Sequence, residues 1–410
     1  MSIYHIISLL IFFTAIFAYV NDRLIKWSPT IGIMVIALLS SVLIAISGNL
    51  VPGISSAARS LVSNINFEQV LMQVMLGFLL FAGALHVDAN DLKKEKWPVI
   101  LMATIGTFIS TFLVSMMAWY LFMLFGLNIS YIHCLLFGAL ISPTDPIAVM
   151  GILKSAGIPK SLEVKITGES LFNDGVGVVI FLTIYEVAAK GTANFSVGNT
   201  ALLFLKEAGG GLLFGAILGY LGHFLIKSID NYRVEVLITL SVVMCGYPLA
   251  DHFHLSGPLA VIIAGIILGT KGKKDGLSEI SRDYLGKFWD LTDEIFNAIL
   301  FLLIGLEMLV IKIDMTIVVI GMIMIALVLL ARLACVALPV FFLRIWMKFE
   351  QNAIPILTWG GLRGGLSVAM ALSLPQSMHR DEFVLITYII VVFSIIVQGL
   401  TIGRLAKAGG

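Results

Sequence analysis

The chain has 410 residues, of which 59% are hydrophobic and only 12% charged, and its mean hydropathy is +1.02. So little polar surface cannot cover a water-soluble globule of this size, so the composition places the chain in a bilayer. The formal net charge of +1 gives no pull toward nucleic acid or an acidic protein partner, because in a membrane protein the position of each charge matters more than the sum.

Apolar stretches of roughly 20 residues suffice to cross about 30 Å of hydrocarbon. In chain order they run over 3–20, 30–47, 69–87, 98–125, 131–153, 163–189, 200–226, 233–251, 256–270, 285–311, 315–343, 351–374 and 382–404. These thirteen segments predict an all-α polytopic membrane protein, a single transport domain over 1–410 with no soluble domain. The first segment has no basic stretch before it and no small-residue cleavage site after it, so it reads as a retained helix rather than a signal peptide. Cys134, Cys245 and Cys335 fall inside apolar runs at spacings that match neither a disulfide framework nor a zinc site, and read as small core hydrophobes.

The basic residues sort by alternate loops. Most of the 26 Lys and Arg residues, including Arg23, Lys26, Lys93, Lys154, Lys160, Lys227, Lys271, Lys273, Lys274, Arg344, Lys348 and Arg404, fall on one side. Arg59, Lys190, Lys206, Lys312 and Arg380 fall on the other, and Arg332 and Arg363 lie within spans. By the positive-inside rule the N-terminus is expected outside and the C-terminus in the cytoplasm.

Two aspartates stand in the middle of consecutive apolar segments: Asp145 in Ser142-Pro-Thr-Asp-Pro-Ile147 and Asp174 in Gly168-Glu-Ser-Leu-Phe-Asn-Asp-Gly175. An ionised carboxylate at the bilayer centre costs about 3 kcal/mol even on the lenient insertion scale, so acids kept there bind ions or relay protons. Pro143 and Pro146 remove two helix hydrogen bonds around Thr144 and Asp145, which predicts local unwinding. Bare backbone at that depth is tolerated where it lines a cavity. The twelfth segment carries a similar interruption, Trp359-Gly-Gly-Leu-Arg-Gly-Gly-Leu366 between Pro355 and Pro375. Breaks in segments five and twelve, seven spans apart, suggest inverted repeats whose broken helices cross near the midplane.

On the sixth segment Ser170 and Asp174 share a face, with Thr167 one turn earlier, while Glu169 and Asn173 form a neighbouring stripe. Gly175 and Gly177 leave room for the broken fifth segment. Asp174, Asp145, the Ser170 hydroxyl and the Thr144 carbonyl could then make an all-oxygen cage for a hard cation, without the His or Cys of a transition-metal site. Glu169 needs a base, and Arg332 is the first choice, with Arg363 competing. Asp290, Asp293 and Glu294 cluster with His86 and Asp88 at cytoplasmic helix ends, where they form a cation-concentrating funnel or ordinary caps.

Thr144-Asp-Pro146, Gly168-Glu-Ser-Leu-Phe-Asn-Asp-Gly175, Phe296-Asn-Ala-Ile-Leu-Phe-Leu-Leu-Ile-Gly-Leu306 and Trp359-Gly-Gly-Leu-Arg-Gly-Gly365 together resemble the cation:proton antiporter 1 family. Those are the NhaP-type Na+/H+ antiporters related to animal sodium/proton exchangers. The resemblance covers nearly the whole chain. It implies a thirteen-helix fold in which a six-helix core, from parts of 69–189 and 285–404, moves against a dimerisation domain from parts of 1–47 and 200–270. It implies a homodimer in a bacterial inner membrane, with Na+ (or Li+) and H+ as cargo and no cofactor. It gives Asp174 the principal ion and proton role, with Asp145, Thr144 and Ser170 as further ligands, and sets Asn173 where electrogenic relatives carry a second aspartate, so that exchange would be electroneutral. Two departures are visible: Ala82 in Phe81-Ala-Gly-Ala-Leu85 stands where many relatives place a glutamate that binds through water, and the long cytoplasmic tail of the animal exchangers is expected to be missing.

Other readings are a K+/H+ antiporter of the same fold, a channel, a Na+-coupled small-anion symporter and an intramembrane aspartyl protease. A channel needs a continuous polar path, whereas these acids form one compact cluster. The symporter lacks polar groups for an organic solute. The protease would use two aspartates as general acid and base, but neither lies in a Gly-x-Gly-Asp string, so no enzyme activity is expected.

Overall fold

The computed structural model describes residues 3–47, 53, 59–60, 62, 65, 67–191, 196–272, 278–347, 349–350 and 352–407, and these are helical nearly throughout. Lys273, Lys274 and Lys348 of the basic set lie outside the described residues. In chain order the helices are α1 (Ile3–Val20), α2 (Pro29–Ser47), α3 (Phe67–His86), the short α4 (Ala89–Lys94), α5 (Lys96–Leu124), α6 (Tyr131–Ile141), α7 (Ile147–Ser155) and α8 (Lys160–Lys190). They continue as α9 (Val197–Lys227), α10 (Tyr232–His252), α11 (Gly257–Lys271), α12 (Glu279–Glu307), α13 (Met315–Leu343), α14 (Ala353–Trp359), α15 (Gly365–Leu372) and α16 (Arg380–Lys407).

Local sequence sets the helix ends. Ser196, Asn231, Ser256, Ser278 and Asp314 each cap a helix by accepting a hydrogen bond from a first-turn N–H, which satisfies donors that have no partner inside the helix. Between α6 and α7, residues 142–146 leave the helix at the two prolines, and between α14 and α15 residues 361–364 leave it at the glycines.

Helices α1 and α2 pack on α12, and α9 packs along α11, which in turn lies against α3. Gly211, Gly215 and Gly219 make the α9–α11 approach close, because a side chain at any of them would meet Ser256, Ala260 or the Ala264–Ile267 turn. Such a four-residue repeat of small residues lets two helices touch backbone to backbone where no water drives them together. The opposite face of α9 leaves Leu202, Leu205, Leu213, Ile217 and Phe224 exposed.

Helix α8 buries Lys165, Glu169, Ser170 and Asn173 and packs against α5, α6, α9 and α11. Cys134 and Cys335 are buried as expected, but Cys245 is exposed. The expectation for Cys245 fails because one face of α10, with Leu237 and Met244, is turned outward. An apolar run does not reveal which of its faces meets protein and which meets lipid.

Candidate ion-binding site

The two interruptions touch. The Asp145 N–H donates to the Leu362 carbonyl at 2.8 Å, joining the break after α6 to the break after α14 by a backbone hydrogen bond. Gly364 is needed for this approach, since a Cβ there would strike the Asp145 carboxylate. The Arg363 guanidinium reaches across to the carbonyls of Ser142 and Pro143, the latter at 2.9 Å. It meets α6 at the C-terminal end, where carbonyls lack partners and the helix dipole is negative. Its own N–H donates to Ser394 Oγ on α16 at 2.9 Å.

Ser142 ties the same break to α5, donating to Gly138 O at 2.7 Å and meeting Ser110 Oγ at 2.9 Å. On the other side Pro143 packs directly on Gly177 of α8. Gly175 does not serve the break: it faces Leu259 and Ile262 of α11. The two glycines are two residues apart, so on a helix they point about 200° apart and cannot both face one neighbour.

Asn173 is buried and holds the unwound residue from two sides. Its Nδ2 donates to Thr144 Oγ1 at 2.7 Å, and its Oδ1 accepts from the Thr144 N–H at 3.3 Å. Thr144 Oγ1 also lies 3.2 Å from Ser170 Oγ. The Asp145 carboxylate accepts from the Ile147 N–H at 2.9 Å and so caps α7.

A cavity of about 120 Å³ opens among α3, α8, α12, the first break and the start of α15. Its polar wall consists of Asp145, Thr167, Ser170, Asp174 and Asp293, and its remaining wall is apolar, with Leu76, Leu80, Leu300 and Leu366 among the contributors. Among the described residues no basic side chain lines it. Of the residues expected to form the cage, Asp174, Asp145 and Ser170 therefore face one space, while Thr144 and Asn173 stand behind its wall, held to each other. Asp293 faces the cavity together with the two midspan acids. Its neighbours Asp290 and Glu294 are exposed and outside the wall, and Asp290 lies 3.1 Å from His86 Nε2. Asp293 and Leu300, seven residues apart, share a face of α12, and that period could have marked Asp293 as a cavity residue in the sequence.

Glu169 does not face the cavity. It forms a two-pronged ion pair with Arg332 of α13, whose Nη2 lies 3.0 Å from Oε2 and also donates to the Leu357 carbonyl at 3.1 Å. Arg363 does not compete for this carboxylate, because its charge is committed to the α6 carbonyls.

A second buried ion pair escapes sequence reasoning. Lys165, only 1% exposed, lies one turn before Glu169 on α8. Its Nζ is 3.3 Å from Glu350 Oε2, 3.4 Å from Glu95 Oε2 and 4.9 Å from the Phe349 ring centre. The sequence signal for it is a lysine two residues inside the apolar segment 163–189, a place where a basic residue also serves simply to mark the cytoplasmic side.

The family model described as "Sodium/hydrogen exchanger, transmembrane" matches residues 6–408. The chain is 47% identical to the Na+/H+ antiporter NhaP of Pseudomonas aeruginosa over 96% of its own length and 94% of that protein's. It is 36% identical to the Na+/H+ antiporter NhaH of Halobacillus dabanensis over 88% of each. Its fold matches the sodium proton antiporter MjNhaP1 of Methanocaldococcus jannaschii with a TM-score of 0.74 at 21% identity, covering 98% of this chain and 97% of that one. The chain is a multi-pass membrane protein and belongs to the sodium/hydrogen exchanger family.

Proposed function

We propose that the protein exchanges Na+, or Li+, for H+ by alternating access, with both cations competing for the Asp174 carboxylate. The observation that carries this reading is a cavity that gathers Asp174, Asp145 and Ser170 with no basic group among the described residues of its wall. A carboxylate in such a place must be neutralised by a proton or a bound cation, and one excludes the other. Asp145 and the Ser170 hydroxyl supply further oxygens for Na+, and Thr167 lies within the same wall. Thr144 and Asn173 then position the unwound segment, Thr144 adding backbone oxygen and Asn173 acting through its two hydrogen bonds.

Because Asn173 is neutral, one Na+ exchanges for one H+ and no net charge moves. The exposed Asp290 and Glu294 raise the local cation concentration at the cytoplasmic mouth, and Asp293 carries that potential to the cavity. The ion pair of Glu169 with Arg332 and the Arg363 bridge hold the broken helices in register while the core moves. The protein acts as a homodimer in a bacterial inner membrane, N-terminus outside and C-terminus in the cytoplasm, with α1, α2 and α9–α11 providing the dimerisation side. It needs no cofactor and performs no enzymatic reaction.

The test is dequenching of a trapped pH dye in proteoliposomes on addition of Na+, Li+ or K+, with and without a potential clamp. Proton movement evoked by Na+ or Li+, insensitive to the clamp, is expected. No cation-evoked proton movement, or movement driven by the clamp alone, would reject the reading.

A further inference from the structure

The wall of the cation cavity holds three carboxylates, Asp145, Asp174 and Asp293, and no base among the described residues. One monovalent cation shared by Asp174 and Asp145 leaves Asp293, which enters from α12, with its charge unmatched. A like charge kept in the same buried space is costly unless it too is neutralised.

The space is large enough for a second ion. Asp293 and Leu300 both line it, and seven residues of helix rise about 10 Å, whereas an ion held by oxygens at about 2.3–2.6 Å takes up about 5 Å of that length. The cavity volume is about 120 Å³, against about 10–15 Å³ for one water, so two cations fit with water between them.

Asn297 stands on the same face of α12, between Asp293 and Leu300. It is 2% exposed, and its amide lies beside the Asp293 carboxylate. Its Oδ1 is buried and accepts no hydrogen bond, which is destabilising at that depth. A water would satisfy Oδ1 but leave the Asp293 charge in place. A hard cation answers both, because carboxylate and amide oxygens are ligands it prefers. Asp290, one turn nearer the mouth, is exposed and lies 3.1 Å from His86 Nε2, so Asp293 is the first carboxylate of α12 that faces the cavity itself.

Resting on the exchange reading above, we propose that Asp293 and Asn297 Oδ1 form a second alkali-cation position on the mouth side of Asp174, where Na+ or Li+ waits before it displaces the proton from Asp174. Contact with the cation is direct there, unlike the long-range pull of Asp290 and Glu294.

Equilibrium binding of radiolabelled Na+ to the purified full-length protein at alkaline pH separates the two positions without requiring exchange. Asp174→Asn should still hold one Na+ per chain, and adding Asn297→Leu, which removes no charge, should abolish it. In membrane vesicles of each orientation, Asn297→Leu alone should raise the Na+ concentration for half-maximal exchange several-fold at the Asp293 side and leave the opposite face unmoved. That shift should persist at high ionic strength, where the field of the exposed acids is screened. Loss of all Na+ binding in Asp174→Asn would overturn the proposal, as would Na+ retained in Asp174→Asn/Asp293→Asn. Should Asn297→Leu fail to fold, this last variant decides. A wild type that moves no protons on Na+ addition, while Asp174→Asn holds Na+ through Asp293, would reject the exchange reading and uphold this one.

Discussion

Helix α8 carries two kinds of buried polar residue within three turns. Lys165 and Glu169 each end on a partner of opposite charge, Glu350 and Glu95 for the first and Arg332 for the second. Ser170 and Asp174 end on a cavity. The two sets follow one another along one helix and differ chiefly in rotation about its axis. A charge that meets a counter-charge is a fastening, and removing its partner leaves an uncompensated charge in a dry place. A charge that meets only space is available to cargo. Depth in the membrane does not separate the two cases; the presence or absence of a basic neighbour does.

The sharpest way to break that contrast is to neutralise one member of each set. Asp174→Asn should abolish cation-evoked proton movement in proteoliposomes while leaving the melting temperature near that of wild type. Retained, pH-dependent exchange in this variant would remove Asp174 from the transport step. Glu169→Gln should do the opposite in kind: it strands the Arg332 charge, at a cost of about 3–5 kcal/mol, and should appear first as a large fall in thermal stability. The double variant Glu169→Gln/Arg332→Met should recover much of that loss, because no charge is then left alone. If the double variant is as unstable as the single one, the pair is not the fastening described here.

Much of this arrangement was legible from residue types. Single prolines leave α10 and α13 unbroken at Pro248 and Pro339, but Pro143 and Pro146 fall three residues apart around Thr144 and Asp145, and four glycines crowd around Arg363, so both interruptions were marked in the chain. The Ser170–Asp174 face follows from helical period. Rotation of helices against each other was not legible, and it decides the rest. Gly175 and Gly177 both promised close approach, yet each faces a different helix. Arg363 was a candidate partner for Glu169 and instead bridges to the carbonyls left free by the first break, a demand that no side-chain inventory displays. Cys245 looked like core because hydropathy treats lipid and protein interior alike.

Asn173 offers the next test. It holds Thr144 by two hydrogen bonds, and loss of both in a buried place is worth about 1–3 kcal/mol. Asn173→Ala should lower stability by about that amount and weaken exchange, since the unwound segment that carries Asp145 loses its clamp. Measured alongside Glu169→Gln, it should rank clearly second in destabilisation. A fall as large as that of Glu169→Gln would mean that the break, not the ion pair, is the main fastening of α8.

The Lys165 cluster predicts an absence of pH dependence. Burial alone would raise the Glu350 carboxyl, but the hydrogen bond from Ser161 and the Lys165 charge outweigh it and hold the group below the ordinary carboxylate range. A group whose folded-state value is depressed stabilises the fold above its unfolded value and loses that contribution only as pH falls through the folded one. The latch is therefore complete at neutrality. Glu350→Gln should lower stability at neutral pH, yet leave the pH profile of exchange near neutrality unmoved. A displaced profile would tie this latch to the transport cycle and blur the line between the two sets of residues.

The smallest expected effect belongs to Thr167, which lines the cavity one turn before Ser170 and two before Asp174 and bears no charge. If it lends an oxygen to the bound cation, Thr167→Val, which keeps the shape, removes one neutral ligand of several. The loss should be about 0.5–1.5 kcal/mol, the net value of a neutral hydrogen-bonding group, seen as a several-fold rise in the Na+ concentration for half-maximal exchange with little change in maximal rate. Stability should hold, because the hydroxyl fastens nothing in the resting structure. A collapse of maximal rate would place Thr167 with Asp174, and no change at all would make it wall. The three outcomes order the cavity residues by what they give the cation, which burial alone cannot do.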